Sequence, residues 1–202
     1  IVDERSAAFF ALGLAQKTNR PVGLVCTSGS AVLNYGPAVA EAFYQKMPLV
    51  LFTADRPNEW IDQGENQSIN QYRIYNNYIK ASLGIPSNTE QEAELWYSNR
   101  IVSEALNIAM NPYPGPVHVN IPLREPLYNT VEEVQDEPKT IEVVSSESQI
   151  SEKGMKSLLE IWNSSEKKMI IAGGIRPSNE LKGSMTDFKK REDVLVLTES
   201  IS

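Results

Sequence analysis

Small and apolar residues cluster between Ser6 and Thr18 (Ala7, Ala8, Phe9, Phe10, Ala11, Leu12, Leu14, Ala15). Their spacing predicts a buried helix that ends near Asn19-Arg20-Pro21. A short run rich in β-branched residues, Val22 to Cys26, follows as a buried strand. Thr27-Ser28-Gly29-Ser30 then reads as a turn, Ala31 to Lys46 as a second helix, and Pro48 to Ala54 as a second strand. Further on, the pattern predicts a helix over Gln67 to Asn77, a short strand at Ile79 to Leu83, a long amphipathic helix over Thr89 to Met110 and a strand at Pro116 to Ile121. Strands of about five residues that alternate with helices imply an α/β fold, an open parallel sheet with helices on both faces.

That first domain is expected to span residues 1–127. Residues 128–150 carry Glu132, Glu133, Asp136, Glu137, Glu142 and Glu147 against the single Lys139, with little periodicity, and read as an acidic linker. A helix from Ser151 to Ser164, a strand from Met169 to Ala172, Gly173-Gly174, a helix within Asn179 to Arg191 and a strand from Val194 to Leu197 open a second α/β domain over 151–202. The first residue is not methionine and the chain begins inside an apparent element. The expectation is therefore a piece of a longer protein.

Composition narrows the function classes. With 202 residues, 41% of them hydrophobic, the chain can bury a sizeable core. Cys26 is the single cysteine, which excludes an internal disulfide and fits a reducing, cytoplasmic setting. No apolar run approaches the roughly 20 residues of a membrane-spanning helix. A net charge of -7 disfavours nucleic acid and anionic membrane surfaces. An anionic small molecule would need basic groups concentrated locally.

Arg56 is such a group. It leaves the strand ending at Ala54, and Pro57 keeps it extended at the carboxyl edge of the sheet, where ligands of open α/β folds bind. An ion pair with Asp55 or Glu59 and a fork for a substrate carboxylate are both compatible with this position. Glu4, just ahead of the first helix, is open in the same way. Asp3 can cap that helix and an acid there suits the helix dipole, or Glu4 is a working group. His118 lies on PVHVNI with Asn120, opposite Val117, Val119 and Ile121, and with no second histidine or cysteine nearby it reads as structural. The Gly173-Gly174 turn is a weak phosphate signal that tight packing explains equally well.

Four stretches taken together add a resemblance: DERSAAFFALGLA, TSGSAVLNYGPAVAEA, LFTADRPNEWIDQGENQSINQ and GPVHVNIPLREPLY. In this order and spacing they resemble the pyrimidine-binding domain of thiamine-diphosphate-dependent 2-oxoacid carboligases, nearest to the menaquinone-pathway members. The likeness covers nearly all of residues 1–128 and, more weakly, 151–202, the start of the family's central domain. TADRP followed by GENQSI is its most specific part.

The resemblance implies thiamine diphosphate and Mg2+ as cofactors, with 2-oxoglutarate and isochorismate as substrates. It places the cofactor-activating acid on Glu4, which hydrogen-bonds the aminopyrimidine and favours the tautomer that generates the ylid. Ser30 and Asn34 fall where relatives line the aminopyrimidine pocket, although acetohydroxyacid-synthase-like members carry a GPG-type turn where this chain has Gly29-Ser30-Ala31. Arg56, Asn66 and Gln67 fall on isochorismate and intermediate contacts, with Gln67 also catalytic. Metal and diphosphate ligands and the succinyl-carboxylate contacts are expected outside these residues, in a homodimer or homotetramer that shares its site between subunits. A pyruvate-handling carboligase, or a non-catalytic α/β assembly module, are the alternatives; the ADRP…NQ signature argues against the first and the joint presence of Glu4, Arg56 and Gln67 against the second.

Overall fold

The computed structural model describes residues 1–87, 91–125, 138–144, 149–174 and 178–199. They fall into two compact units, Ile1–Val143 and Val144–Ser202.

The first unit is built from α1 (Glu4–Thr18), β1 (Val22–Cys26), α2 (Ser30–Asn34), α3 (Gly36–Tyr44), β2 (Leu49–Asp55), β3 (Ala81–Gly84), α4 (Glu92–Met110) and β4 (Val117–Pro122). Its four strands are all parallel, in the order β1-β2-β4-β3. Alternation along the strands sorts side chains to two faces. Leu24, Cys26, Leu49 and Leu51 pack with Ala8, Ala11, Leu12 and Ala15 of α1 and with Val32, Ala38, Val39 and Ala42 of α2 and α3. Val50, Val117 and Val119 face the other way, onto Ile101, Ala105 and Ala109 of α4. The alanines at these contacts let the helix backbones come close to the sheet.

The expected α/β architecture is present, with three local corrections. First, only the Ala8/Ala11/Leu12/Ala15 stripe of α1 is buried; Phe9, Phe10 and Leu14 are exposed, and so is Val25 on the α4 side of the edge strand β1. Second, the single helix expected over Ala31 to Lys46 is two, because Pro37 opens α3 and cannot donate into a continuous ladder, while Lys46 turns left-handed (φ 55°) just beyond its end. Third, the helix expected over Gln67 to Asn77 does not form. Gln67 (φ 57°) and Arg73 (φ 56°) are left-handed, which breaks any helical run, and only the 3-10 turn Asn76–Tyr78 touches the expected range.

The boundary expected at Leu127 and most of the acidic stretch lie outside the described residues. Of the remainder, Lys139 and Ile141 run along α4, where their carbonyls accept hydrogen bonds from Ser103 Oγ (3.2 Å) and Asn107 Nδ2 (2.8 Å).

The C-terminal end of α4 is closed by a side chain from just before β3. Lys80 Nζ donates to the carbonyls of Ile108, Asn111 and Tyr113 and lies 4.6 Å from the centre of the Tyr113 ring. These carbonyls lie at the end of the helix that carries its negative partial charge. Lys80→Met keeps the stem and removes the charge. By the usual worth of hydrogen bonds to a charged group, it should cost about 2 kcal/mol of stability, read as a lower urea midpoint with an unchanged slope.

The second unit contains α5 (Glu152–Ser164), β5 (Lys168–Ala172), α6 (Asn179–Phe188) and β6 (Val194–Thr198), with the two strands parallel. Asp193 binds Lys168 (2.6 Å) and Arg191 (3.0 Å) ahead of β6, and these hydrogen bonds hold its carboxyl well below the usual carboxylate range. At the glycine turn after β5, the Gly174 N–H donates to Glu199 Oε2 (3.2 Å), and a Cβ on Gly173 would strike the same carboxylate. An acid at that turn repels phosphate, which removes the weak phosphate signal.

Candidate functional site

The carboxyl ends of β1, β2 and β4 carry most of the residues singled out from the sequence. β1 ends in Cys26, and the turn Thr27-Ser28-Gly29 leads into α2. Gly29 has φ 82° and ψ −143°, a conformation open to glycine alone, and a Cβ there would sit 2.7 Å from the Gln67 carbonyl oxygen. The loop after β2 therefore lies directly on the turn after β1. Ser30 and Asn34, one helical turn apart on α2, are both exposed, as are Asn66 and Gln67. Ser30 and Gln67 are thus brought to one edge of the sheet.

Arg56 follows the last residue of β2 directly and precedes Pro57. Its Nη2 is 3.5 Å from the Asn66 carbonyl, a loose contact, and its Nε is buried without a hydrogen-bond partner among the described residues. The two acids weighed as its ion-pair partners, Asp55 and Glu59, are engaged elsewhere. Asp55 accepts from the Arg56 backbone N–H (2.8 Å) and from Asn120 Nδ2 (2.6 Å), and Glu59 pairs with Arg124. The surface ion pair is therefore not formed. Arg56 instead lines a cleft of ≈ 310 Å³ with Pro57, Trp60, Glu65, Leu123, Arg124 and Glu125. A guanidinium with an unused Nε at a cleft wall suits a planar anion such as a carboxylate.

Glu4 is the first residue of α1 and half-buried. The capping role is filled by Asp3, whose carboxylate accepts from the Ser6 N–H at 2.8 Å. The Glu4 carboxylate takes no hydrogen bond or ion pair among the described residues. Its charge reaches Cys26 and Tyr35, adding to the burial that pushes the Cys26 thiol up to about 11 and the Tyr35 hydroxyl well above its ordinary value. Glu4 thus stands on the α1 side, near the end of β1, with no hydrogen-bonded link to the Arg56 loop among the described residues.

Beneath the strand ends lies a polar cluster of the buried Thr53, Gln71 and His118 with the half-buried Asn120. The strand alternation already set His118 and Asn120 apart from their apolar neighbours; Gln71 carried no comparable signal. The direction of each bond can be deduced. Asp55 can only accept, which fixes the Asn120 amide with Nδ2 toward it and Oδ1 toward Thr53 Oγ1 (3.0 Å) and Gln71 Nε2 (2.9 Å). The single Thr53 hydroxyl proton goes to Asn120, so His118 Nε2 donates to Thr53 Oγ1 (2.7 Å). The remaining His118 atom, Nδ1, is then a buried lone pair without a partner among the described residues.

Burial lowers the His118 pKa from 6.5 to about 4, so the ring is neutral at pH 7, as a structural histidine would be. The unfolded chain protonates first as the pH falls. The His118 contribution is therefore complete above about pH 6.5, declines between 6.5 and 4, and is level below. The drop amounts to about 3 kcal/mol. Urea midpoints measured from pH 7 to pH 5 should fall, and His118→Gln should flatten that fall. An equal slope in both proteins would show that another group drives it.

Residues 1–74 match the family described as thiamine pyrophosphate enzyme, N-terminal TPP binding domain. The chain is 42% identical over 202 residues to the 2-succinyl-5-enolpyruvyl-6-hydroxy-3-cyclohexene-1-carboxylate synthase of Porphyromonas gingivalis, covering 100% of this chain and 35% of the relative. The Christiangramia forsetii synthase of the same name is 45% identical over 215 residues, with 100% and 37% covered. The Cytophaga hutchinsonii synthase is 50% identical over 129 residues, 63% of this chain and 23% of the relative. Residues 1–74 thus carry the N-terminal TPP binding domain of the thiamine pyrophosphate enzymes.

The chain spans about a third of the length of these relatives. This similarity is compatible with a Glu4 carboxylate that takes no hydrogen bond or ion pair among the described residues and with the exposed Ser30 and Asn34 on α2. No group of three or more His, Cys, Asp or Glu side chains among the described residues could hold a metal ion, and no described helix is long and apolar enough to cross a membrane.

Proposed function

We propose that this chain supplies the pyrimidine-binding side of a 2-succinyl-5-enolpyruvyl-6-hydroxy-3-cyclohexene-1-carboxylate synthase. The observation that carries the reading is similarity along the whole of this chain to synthases of that name, joined to an Arg56 Nε buried at a cleft without a partner among the described residues. The product's name contains its two precursors. A succinyl unit is 2-oxoglutarate less carbon dioxide, and the rest is isochorismate, with one ring double bond consumed by the new C–C and C–H bonds. Thiamine diphosphate, when bound, supplies the carbon nucleophile and the electron sink for the decarboxylation.

The residues of this chain would then divide the remaining work. Glu4 holds a proton at the ring nitrogen of the aminopyrimidine, while Ser30 and Asn34 line that ring. Arg56 grips a carboxylate of isochorismate, which adds two negative charges to an acidic protein. Asn66 and Gln67 offer amides to the same substrate and to the reacting carbon. The metal and diphosphate contacts belong to other parts of the enzyme, in a cytoplasmic homo-oligomer.

The test supplies the complete enzyme with thiamine diphosphate, Mg2+ and isochorismate, and either 2-oxoglutarate or pyruvate. Carbon dioxide release and the mass of the product are followed. The expected result is a succinyl adduct formed from 2-oxoglutarate alone. An adduct formed equally well from pyruvate would move the protein to the acetohydroxyacid-synthase kind, and no turnover of either oxoacid would leave a non-catalytic module.

A further inference from the structure

Gln71 is 1% exposed, lies outside any helix or strand, and uses both ends of its amide on different parts of the chain. Its Oε1 accepts the Gly29 N–H at 2.8 Å, in the turn after β1. Its Nε2 donates to the Ala54 carbonyl (2.9 Å), at the end of β2, and to Asn120 Oδ1 (2.9 Å), on β4. The Asn120 amide passes on to Asp55 Oδ2 (2.6 Å), and Asp55 Oδ1 accepts the Arg56 N–H (2.8 Å). Four hydrogen bonds thus connect the backbone N–H ahead of Ser30 to the backbone N–H of Arg56. Their directions are not interchangeable, because the carboxylate at one end only accepts and the Gly29 amide at the other only donates.

We infer that Gln71 is a positioning residue that locks the turn carrying Ser30 and the segment carrying Arg56 into one rigid wall. Gln67 belongs to the same wall, since its backbone rests on Gly29 with no room for a Cβ between them. The inference rests on the reading above that these residues line one site. A buried glutamine with a purely structural role would satisfy polar groups and contribute stability, and nothing more. A positioning residue also fixes the separation of groups that act together, and small misplacements at such groups are costly in rate.

The experiment compares Gln71→Met in the complete enzyme with Ile101→Ala, a cavity variant in the core on the opposite face of the sheet, where no site residue lies. Both are studied at a temperature where each is fully folded. Three quantities are read: amide hydrogen exchange at Gly29–Ser30 and in the loop from Arg56 to Ser68, the thiamine diphosphate Kd, and the isochorismate KM and kcat. Gln71→Met is expected to speed exchange at both loops together by at least tenfold. It should weaken cofactor binding and lower kcat/KM by about tenfold or more. Ile101→Ala should lower the melting temperature and leave all three unchanged. If Gln71→Met melts earlier yet matches the parent in cofactor affinity and kinetics, or if only one loop loosens, the inference is overturned. Should the parent enzyme fail to turn over isochorismate, the functional reading falls, while exchange and cofactor affinity still decide the role of Gln71.

Discussion

Glu4→Gln in the complete enzyme is expected to lower turnover by about a hundredfold or more, the usual scale for a positioned acid–base group, with folding almost unchanged. The structure makes this substitution informative because it separates Glu4 from the ordinary duties of its position. Asp3 already caps α1, so the glutamate is not needed to start the helix. Its carboxylate has no hydrogen-bond or ion-pair partner among the described residues, so the amide breaks no internal contact. An isosteric amide can still accept and donate hydrogen bonds, but it cannot share a proton with a weakly basic ring nitrogen. The loss should fall on kcat, and thiamine diphosphate should still bind within a few-fold of the parent. Steady-state kinetics and cofactor titration on the same preparation separate these effects. Turnover like that of the parent would remove Glu4 from the chemistry.

Helix and strand periodicity made most of the first unit legible, because both faces of the sheet are covered and the strands read as continuous apolar runs. The segment between Asp55 and Ala81 was not legible. The pattern predicts a helix over Gln67 to Asn77, but the backbone in that range passes through two left-handed residues, Gln67 and Arg73, instead. Gln67 is held where it is by Gly29, 38 residues away in sequence, and local pattern cannot show such a contact.

The site divided along the same line. Arg56 could be placed from a strand end and a proline, both local features. Whether it paired with Asp55 or Glu59 depended on Asn120 and Arg124, more than 60 residues downstream, which claim those two acids. Gln71 was invisible for the same reason, since every partner of its amide comes from a distant turn or strand.

Arg56 carries the second large expected effect. Its charge already lies in a cleft and its Nε is desolvated without a partner among the described residues, so part of the cost of preparing a carboxylate fork is met by the fold. Arg56→Ala removes hydrogen bonds to a charged group, worth about 1.5 to 3 kcal/mol, and should lower kcat/KM for isochorismate by roughly ten- to a hundredfold. Arg56→Lys restores the charge as a point without the planar fork, and should recover only part of the loss. Because the Arg56 side chain makes only one loose hydrogen bond among the described residues, neither variant should shift the melting temperature by more than a degree or two. Kinetics with isochorismate varied at saturating 2-oxoglutarate, and then the reverse, decide which substrate the residue holds. If the damage appears in the 2-oxoglutarate KM alone, Arg56 grips the donor; if lysine equals arginine throughout, the cleft needs only positive charge.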